Sequence, residues 1–87
     1  MRMRAVLELS NIRVMFYLLE RGSARYSEIL KDVGLSRGAL ALALRDLQDG
    51  GLIERKVEAT RPIQTTYSLT AKGKEITKHL EGIKKLV

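Results

Sequence analysis

The sequence predicts a mainly helical α+β fold, with a small β-hairpin inserted before the last helix, in the order helix, helix, helix, strand, strand, helix. Three observations predict it. Leu40, Leu44 and Leu47 recur at spacings of four and three between Ser36 and the pair Gly50-Gly51, the pattern of a capped helix with one apolar face. Leu52 to Glu58 and Gln64 to Leu69 flank a short segment containing Arg61-Pro62, as two strands flank a turn. The other apolar stretches begin after Ser, Asn or Thr, and two of them stop at Gly22 and Gly34, the start and stop chemistry of helices.

Met1 to Leu9 fits both alternation and a helical period and is read as a helical or irregular lead-in. Ser10 or Asn11 then caps a helix from about Ile12 to Arg21, ended by Gly22. Ile12, Met15, Phe16 and Leu19 form one apolar stripe, and Val14, Tyr17 and Leu18 a second on another face. A helix apolar on two sides must bury both. The second stripe packs either under the C-terminal helix or against a second copy of the chain.

Ser23 to Tyr26 has room for a minimal strand, with Tyr26 as a core anchor. Ser27 caps a short helix, Glu28 to Val33, whose Glu28 suits the positive end of the helix dipole and whose Ile29, Leu30 and Val33 face inward. Gly34 ends it. A short helix, a glycine turn and a second capped helix, Arg37 to Asp49, make the outline of a helix-turn-helix. Ala43 joins the three leucines on the inner face; Arg37, Gly38, Ala41, Leu42 and Arg45 lie on the others.

After the double glycine, a strand buried at its start leaves the core, turns through Ala59 to Ile63, and returns as Gln64 to Leu69. Arg55, Lys56 and Arg61 lie towards the tip of this hairpin. Directly behind a helix-turn-helix, such a hairpin is a wing. Thr70 caps the last helix, Ala71 to about Leu86, whose Ile76, Leu80, Ile83 and Val87 follow four, three, four spacing and offer about two heptads to a partner helix. Lys72, Lys74, Lys78, Lys84 and Lys85 form its solvated face.

Composition narrows the chemistry. An 87-residue chain is read as one domain, residues 1–87, with a modest core and with 1–21 and 70–87 as dimerisation helices. The absence of cysteine excludes disulfides, thiolate zinc sites and a cysteine nucleophile. The apolar runs Val14 to Leu19 and Ala39 to Leu44 are too short to span a bilayer. Glu8 interrupts any signal-like apolar segment, so the chain is read as cytoplasmic and nucleoid-associated. The net charge of +6 suits a polyanionic partner. It divides as +2 over residues 1–36, +1 over 37–61 and +3 over 62–87, so any nucleic-acid reading must rest on placed arginines and not on bulk charge. His79 is the single histidine and lacks a second metal ligand beyond Glu75; with no paired carboxylates, phosphate loop or nucleophile motif, neither enzyme chemistry nor a cofactor or metal is expected.

Leu40, Leu44-Arg45-Asp46-Leu47, Gly51-Leu52-Ile53-Glu54-Arg55, and Pro62 followed by Tyr67-Ser68-Leu69-Thr70 with Gly73 stand at intervals that matter together. Over about Asn11 to Leu80 the chain resembles the winged helix-turn-helix transcriptional regulators, most closely the HxlR-like group, with ArsR-like and MarR-like relatives. The resemblance implies a dimeric DNA-binding repressor or activator. The chain departs from it at Ala41, Leu42 and Ala43, where polar or basic side chains are usual, and it lacks the N-terminal cysteine with which some members sense.

The expected docking puts helix 36–49 in the major groove of double-stranded DNA and wing 53–67 on the backbone or minor groove. Ser36 meets a phosphate, Arg37 reaches a guanine edge, Gly38 and Ala41 permit close approach, Leu42 touches a thymine methyl, and Arg45 holds a base edge or a phosphate. Val14, Tyr17, Leu18, Ile76, Leu80, Ile83 and Val87 join two copies, giving a palindromic operator; the sequence names no small-molecule effector. The Ala-Leu-Ala-Leu-Ala run also fits a winged-helix protein-interaction module, and the sparse polar face fits a sequence-nonspecific chromatin-type binder.

Overall fold

The computed structural model describes residues 6–87; the part of the lead-in over residues 1–5, and of the 1–21 dimerisation segment with it, lies outside the described residues. Val6 and Leu7 are helical. The elements that follow are α1 (Leu9–Arg21), β1 (Ser23–Arg25), α2 (Tyr26–Val33), α3 (Arg37–Asp49), β2 (Ile53–Glu58), β3 (Gln64–Leu69) and α4 (Ala71–Leu86). The three strands form an antiparallel sheet in the order β1-β3-β2, with β2 and β3 as the wing.

Helix α1 is the hub, touching α2, α3, α4, β1 and β3. Its Val14, Met15 and Leu18 are fully buried with Ile29, Leu40, Leu47 and Leu52. Val14 and Leu18 therefore belong to the chain's own core, and the expectation that they line a dimer seam is corrected. The sheet covers one side of the helix bundle, so a helix apolar on two faces buries both within one chain. Tyr17, also assigned to the seam, is half-buried and donates from its hydroxyl to Asp32 Oδ2 at 2.6 Å.

Two helix starts differ from expectation. Helix α1 begins three residues earlier than Ile12, with Glu8 as N-cap, and Ser10 and Asn11 lie inside it. Asn11 is buried in that first turn. Helix α2 begins at Tyr26, not after Ser27, because the Arg25 N–H donates to Glu28 Oε1 at 2.9 Å and closes the first turn from within. Glu28 also accepts from Arg21 at 2.7 Å, and Arg21 lies 3.5 Å from Asp32 and over the Tyr17 ring. Arg13 of α1 donates to the Val33 carbonyl, so a cation closes the negative end of α2.

The end of α3 is a Schellman turn. Gly51 N–H donates to Gln48 O at 3.0 Å and Leu52 N–H to Leu47 O at 2.9 Å, with Gly51 at φ +71°. Gly51, and not Gly50, takes the left-handed conformation. Thr70 then ties α4 to this turn: its hydroxyl donates to Gly51 O at 2.7 Å, its N–H donates to Leu52 O at 3.0 Å, and its Oγ accepts from Gly73 N–H at 3.0 Å. Gly73 lies so close that a Cβ there would sit 2.0 Å from Leu52 O.

Two predictions follow from this packing. Gly73→Ala loses about 1–3 kcal/mol or more of stability, because the clash is with backbone that cannot rotate away. Gly38→Ala, on open helix surface, gains about 0.5 kcal/mol; urea melts with unchanged m-values check both signs. The Arg25 N–H, and after it the Arg21 guanidinium, hold the Glu28 carboxyl below its ordinary pKa. Its contribution is fully present above the unfolded-state pKa and is lost as pH falls through the lower folded value. Glu28→Gln keeps an acceptor for Arg25 but removes the titration, so the fall in urea midpoint on acidification becomes shallower than in the wild type.

Candidate nucleic-acid interface

Ser36 is the N-cap of α3, with its Oγ accepting from Ala39 N–H at 3.1 Å. The accepting oxygen leaves the hydroxyl proton free to donate outward. The Tyr26 hydroxyl reaches the Arg37 carbonyl at 3.5 Å, linking the first turn of α2 to that of α3. Leu40, Ala43, Leu44 and Leu47 press the opposite face into the core. Arg37, Gly38, Ala41, Leu42 and Arg45 are consequently exposed together, as their spacing predicts.

This outer face is polarised along its length. Arg37 stands in the first turn, where the helix dipole is positive, and Asp46 and Asp49 are exposed near the other end. A polyanion therefore meets attraction at the first turn and repulsion from the two aspartates of the last turn, with Arg45 just before them. Leu42 lies between, 60% exposed, the largest apolar side chain on this face.

The wing sorts its cations onto two faces. Residues in register across antiparallel strands share a face, so Ile53, Arg55 and Val57 stand with Leu69, Tyr67 and Thr65, while Glu54, Lys56 and Glu58 stand with Ser68, Thr66 and Gln64. Ile53, Tyr67, Leu69 and Ala24 of β1 are buried, which makes the first set the inner face. Arg55 and Lys56 are both exposed but point to opposite sides of the ribbon, in mid-strand; of the three expected cations only Arg61 occupies the loop at the tip, residues 59–63. The expectation that all three lie together towards the tip is corrected, because alternation along a strand separates neighbours.

Arg25 is a cation that sequence reasoning did not place here. The β1–β3 register sets it opposite Thr66, which on its other side faces Lys56, so one rung of the outer sheet face carries a cation at each end. No local signal marks it, since the pairing brings together residues more than forty positions apart. Among the described residues, Arg37, Arg45, Arg55, Lys56 and Arg61 have no ion-pair partner, whereas Arg21 is committed to Glu28 and Asp32. The charges of the helix and wing thus remain available to an external anion.

The residues expected at a dimer seam divide three ways. Val14 and Leu18 are core, as described above. Ile76 and Leu80 are half-buried against that core. Ile83 and Val87, with Leu86, are largely uncovered at 59%, 103% and 88% exposure. Helix α4 packs on the core through Ile76 and Leu80, and its last turns leave Ile83, Leu86 and Val87 uncovered while Lys84 lies over the Phe16 ring of α1. Among the described residues no helix is long and apolar enough to cross a membrane.

This architecture matches known proteins. A family model described as HxlR-like helix-turn-helix matches residues 10–87. An uncharacterized HTH-type transcriptional regulator of Synechocystis, sll1512, is 39% identical over 69 residues, covering 78% of this chain and 51% of that relative. The uncharacterized HTH-type transcriptional regulator YvaP of Bacillus subtilis is 38% identical over 73 residues, covering 83% and 67%. The chain spans about half to two thirds of the length of these relatives. A transcriptional regulator homologue from Pyrococcus horikoshii OT3 superposes with a TM-score of 0.86 at 26% identity, covering 98% of this chain and 86% of the other. With a helix-turn-helix, a wing and a family match from Ser10 to the last residue, the chain belongs to the HxlR-like helix-turn-helix family.

Proposed function

We propose that this chain is a DNA-binding transcriptional regulator that docks α3 in the major groove and its wing on the adjacent backbone or minor groove. One observation carries the reading. The outer face of α3, from Ser36 to Arg45, is held outward by four buried residues and bears two arginines without internal partners. Narrow side chains at Gly38 and Ala41 let the helix backbone approach base edges. Ser36 and the first free N–H groups meet a phosphate, Arg37 reaches a guanine edge, and Arg45 holds a base edge or a phosphate. Arg55 and Arg61 follow one side of the wing and its tip, while Lys56 and Arg25 serve the other face.

The protein acts as a homodimer in this proposal. Ile83, Leu86 and Val87 form an uncovered apolar end on α4, and Leu7 and Leu9 are exposed at the other end of the chain, at 58% and 70%. Burying this surface between two copies would set two recognition helices about one DNA turn apart on a roughly palindromic operator, in the cytoplasm on the nucleoid. No catalytic step and no bound cofactor enters this reading.

Removing a base-reading Arg37 costs about 1–3 kcal/mol of operator affinity and relaxes one position of the site. Arg61→Ala weakens all sequences alike and lowers the slope of log affinity against log salt by about one. Selection of bound duplexes from a random pool supplies the operator for both titrations. No change in either variant overturns the docking. For assembly, Ile83→Glu shifts the molar mass in analytical ultracentrifugation from dimer to monomer with the fold retained; a wild-type monomer at all concentrations defeats the dimer.

A further inference from the structure

We infer that the cavity between α1 and α4 is a binding site for an organic cation, a substituted ammonium ion with an apolar body. The cavity, about 270 Å³, is lined by Phe16, Leu19 and Glu20 of α1 and by Glu81 and Lys84 of α4. Residues three and four apart share one face of a helix, so each wall brings its lining residues to the cavity from a single face. Phe16 and Leu19 are half-buried and supply an apolar floor, and Glu20 and Glu81 bring one carboxylate from each wall.

The protein already holds a cation in this place. Lys84 Nζ lies 5.1 Å from the centroid of the Phe16 ring, within reach of its negative π face. That ammonium pairs with neither carboxylate, and Glu20 and Glu81 have no ion-pair partner among the described residues. An ammonium on a flexible lysine stem is strongly hydrated, and Lys84 is exposed, so it leaves the ring for water at small cost. A substituted ammonium is less hydrated; it takes the same place on the ring and adds contact with Leu19.

The neighbouring charges favour a cation over an anion. A second cavity, about 280 Å³, meets the first at Phe16 and Lys84, and its other charged groups are committed: Arg13 donates to the Val33 carbonyl, and Asp32 accepts from Tyr17 and pairs with Arg21. The charge left over around Phe16 is one lysine against two glutamates. The site also stays clear of the dimer contact proposed above, since Ile83 and Leu86 project about 100° or more round α4 from both Glu81 and Lys84.

Isothermal titration calorimetry tests the site, with benzyltrimethylammonium chloride as the cation, sodium benzoate as an anion of similar size, and no DNA present. The expected result is saturable binding of one cation per chain and no binding of benzoate. Phe16→Leu keeps the apolar bulk, removes the π face and weakens the cation by about threefold to thirtyfold. Glu20→Gln combined with Glu81→Gln weakens it by about threefold. Lys84→Gln removes the internal competitor and tightens it by about threefold, the opposite of what an anion site would show. This last variant lies on exposed helix surface, and circular dichroism checks the fold of all three. No saturable heat with the cation, undiminished affinity in Phe16→Leu, weaker binding in Lys84→Gln, or benzoate binding that Lys84→Gln abolishes overturns the inference. With no duplex in the cell, each of these outcomes leaves the proposed function standing.

Discussion

The Leu52 carbonyl, with Gly73 packed directly against it, is the constraint on which the rest of the structure depends. Leu52 is the residue at which α3 stops, the wing begins and α4 arrives. Its N–H closes the Schellman turn onto Leu47, its carbonyl accepts from Thr70, and its side chain is fully buried. Only a residue without a Cβ fits at position 73. The recognition helix and the wing are therefore braced by a third element behind them, and their relative orientation is set by backbone contacts that do not depend on surface side chains. Thr77 continues the seam inside the protein, donating to Gly73 O at 2.6 Å.

A recognition surface braced in this way can carry a sparse set of side chains. Helix α3 is rigidly seated through Leu40, Ala43, Leu44 and Leu47, and its outer face is left to two arginines, small residues and one leucine. Pre-positioning reduces the ordering cost of binding, and low side-chain height allows the backbone itself to come close to the groove. The wing adds charge on both faces of a two-stranded ribbon, so its contacts are distributed around the ribbon and are not concentrated on a single edge.

Two arginines of α1 serve the fold. Arg13 closes the end of α2 and Arg21 bridges Glu28, Asp32 and the Tyr17 ring, holding α1 and α2 together. Desolvation, and next the bond to Asp32, raise the Tyr17 phenol above its ordinary pKa, so it remains a neutral donor to that carboxylate. A net charge of +6 is thus divided between cations spent on internal anions and carbonyls and cations left for an external partner. That division is invisible to composition, because an arginine in either role counts the same.

What the sequence determined by itself was everything governed by local chemistry. The limits of α3 and α4 follow from Ser36 and Thr70 as caps, the exposed face of α3 follows from leucine spacing, and the hairpin follows from two β-rich runs about Arg61-Pro62. The clustered motif around Leu44 to Arg55 and Tyr67 to Gly73 was sufficient for the family. Tertiary structure decided the rest, because those outcomes depend on partners far along the chain. The strand at Ser23–Arg25 exists through pairing with β3. Val14 and Leu18 became core because the sheet covers a second side of α1, a burial that helical period alone cannot distinguish from a seam. The sheet register then put Arg55 and Lys56 on opposite faces and brought Arg25 beside the wing, since side-chain direction in a strand has meaning only relative to the strands around it.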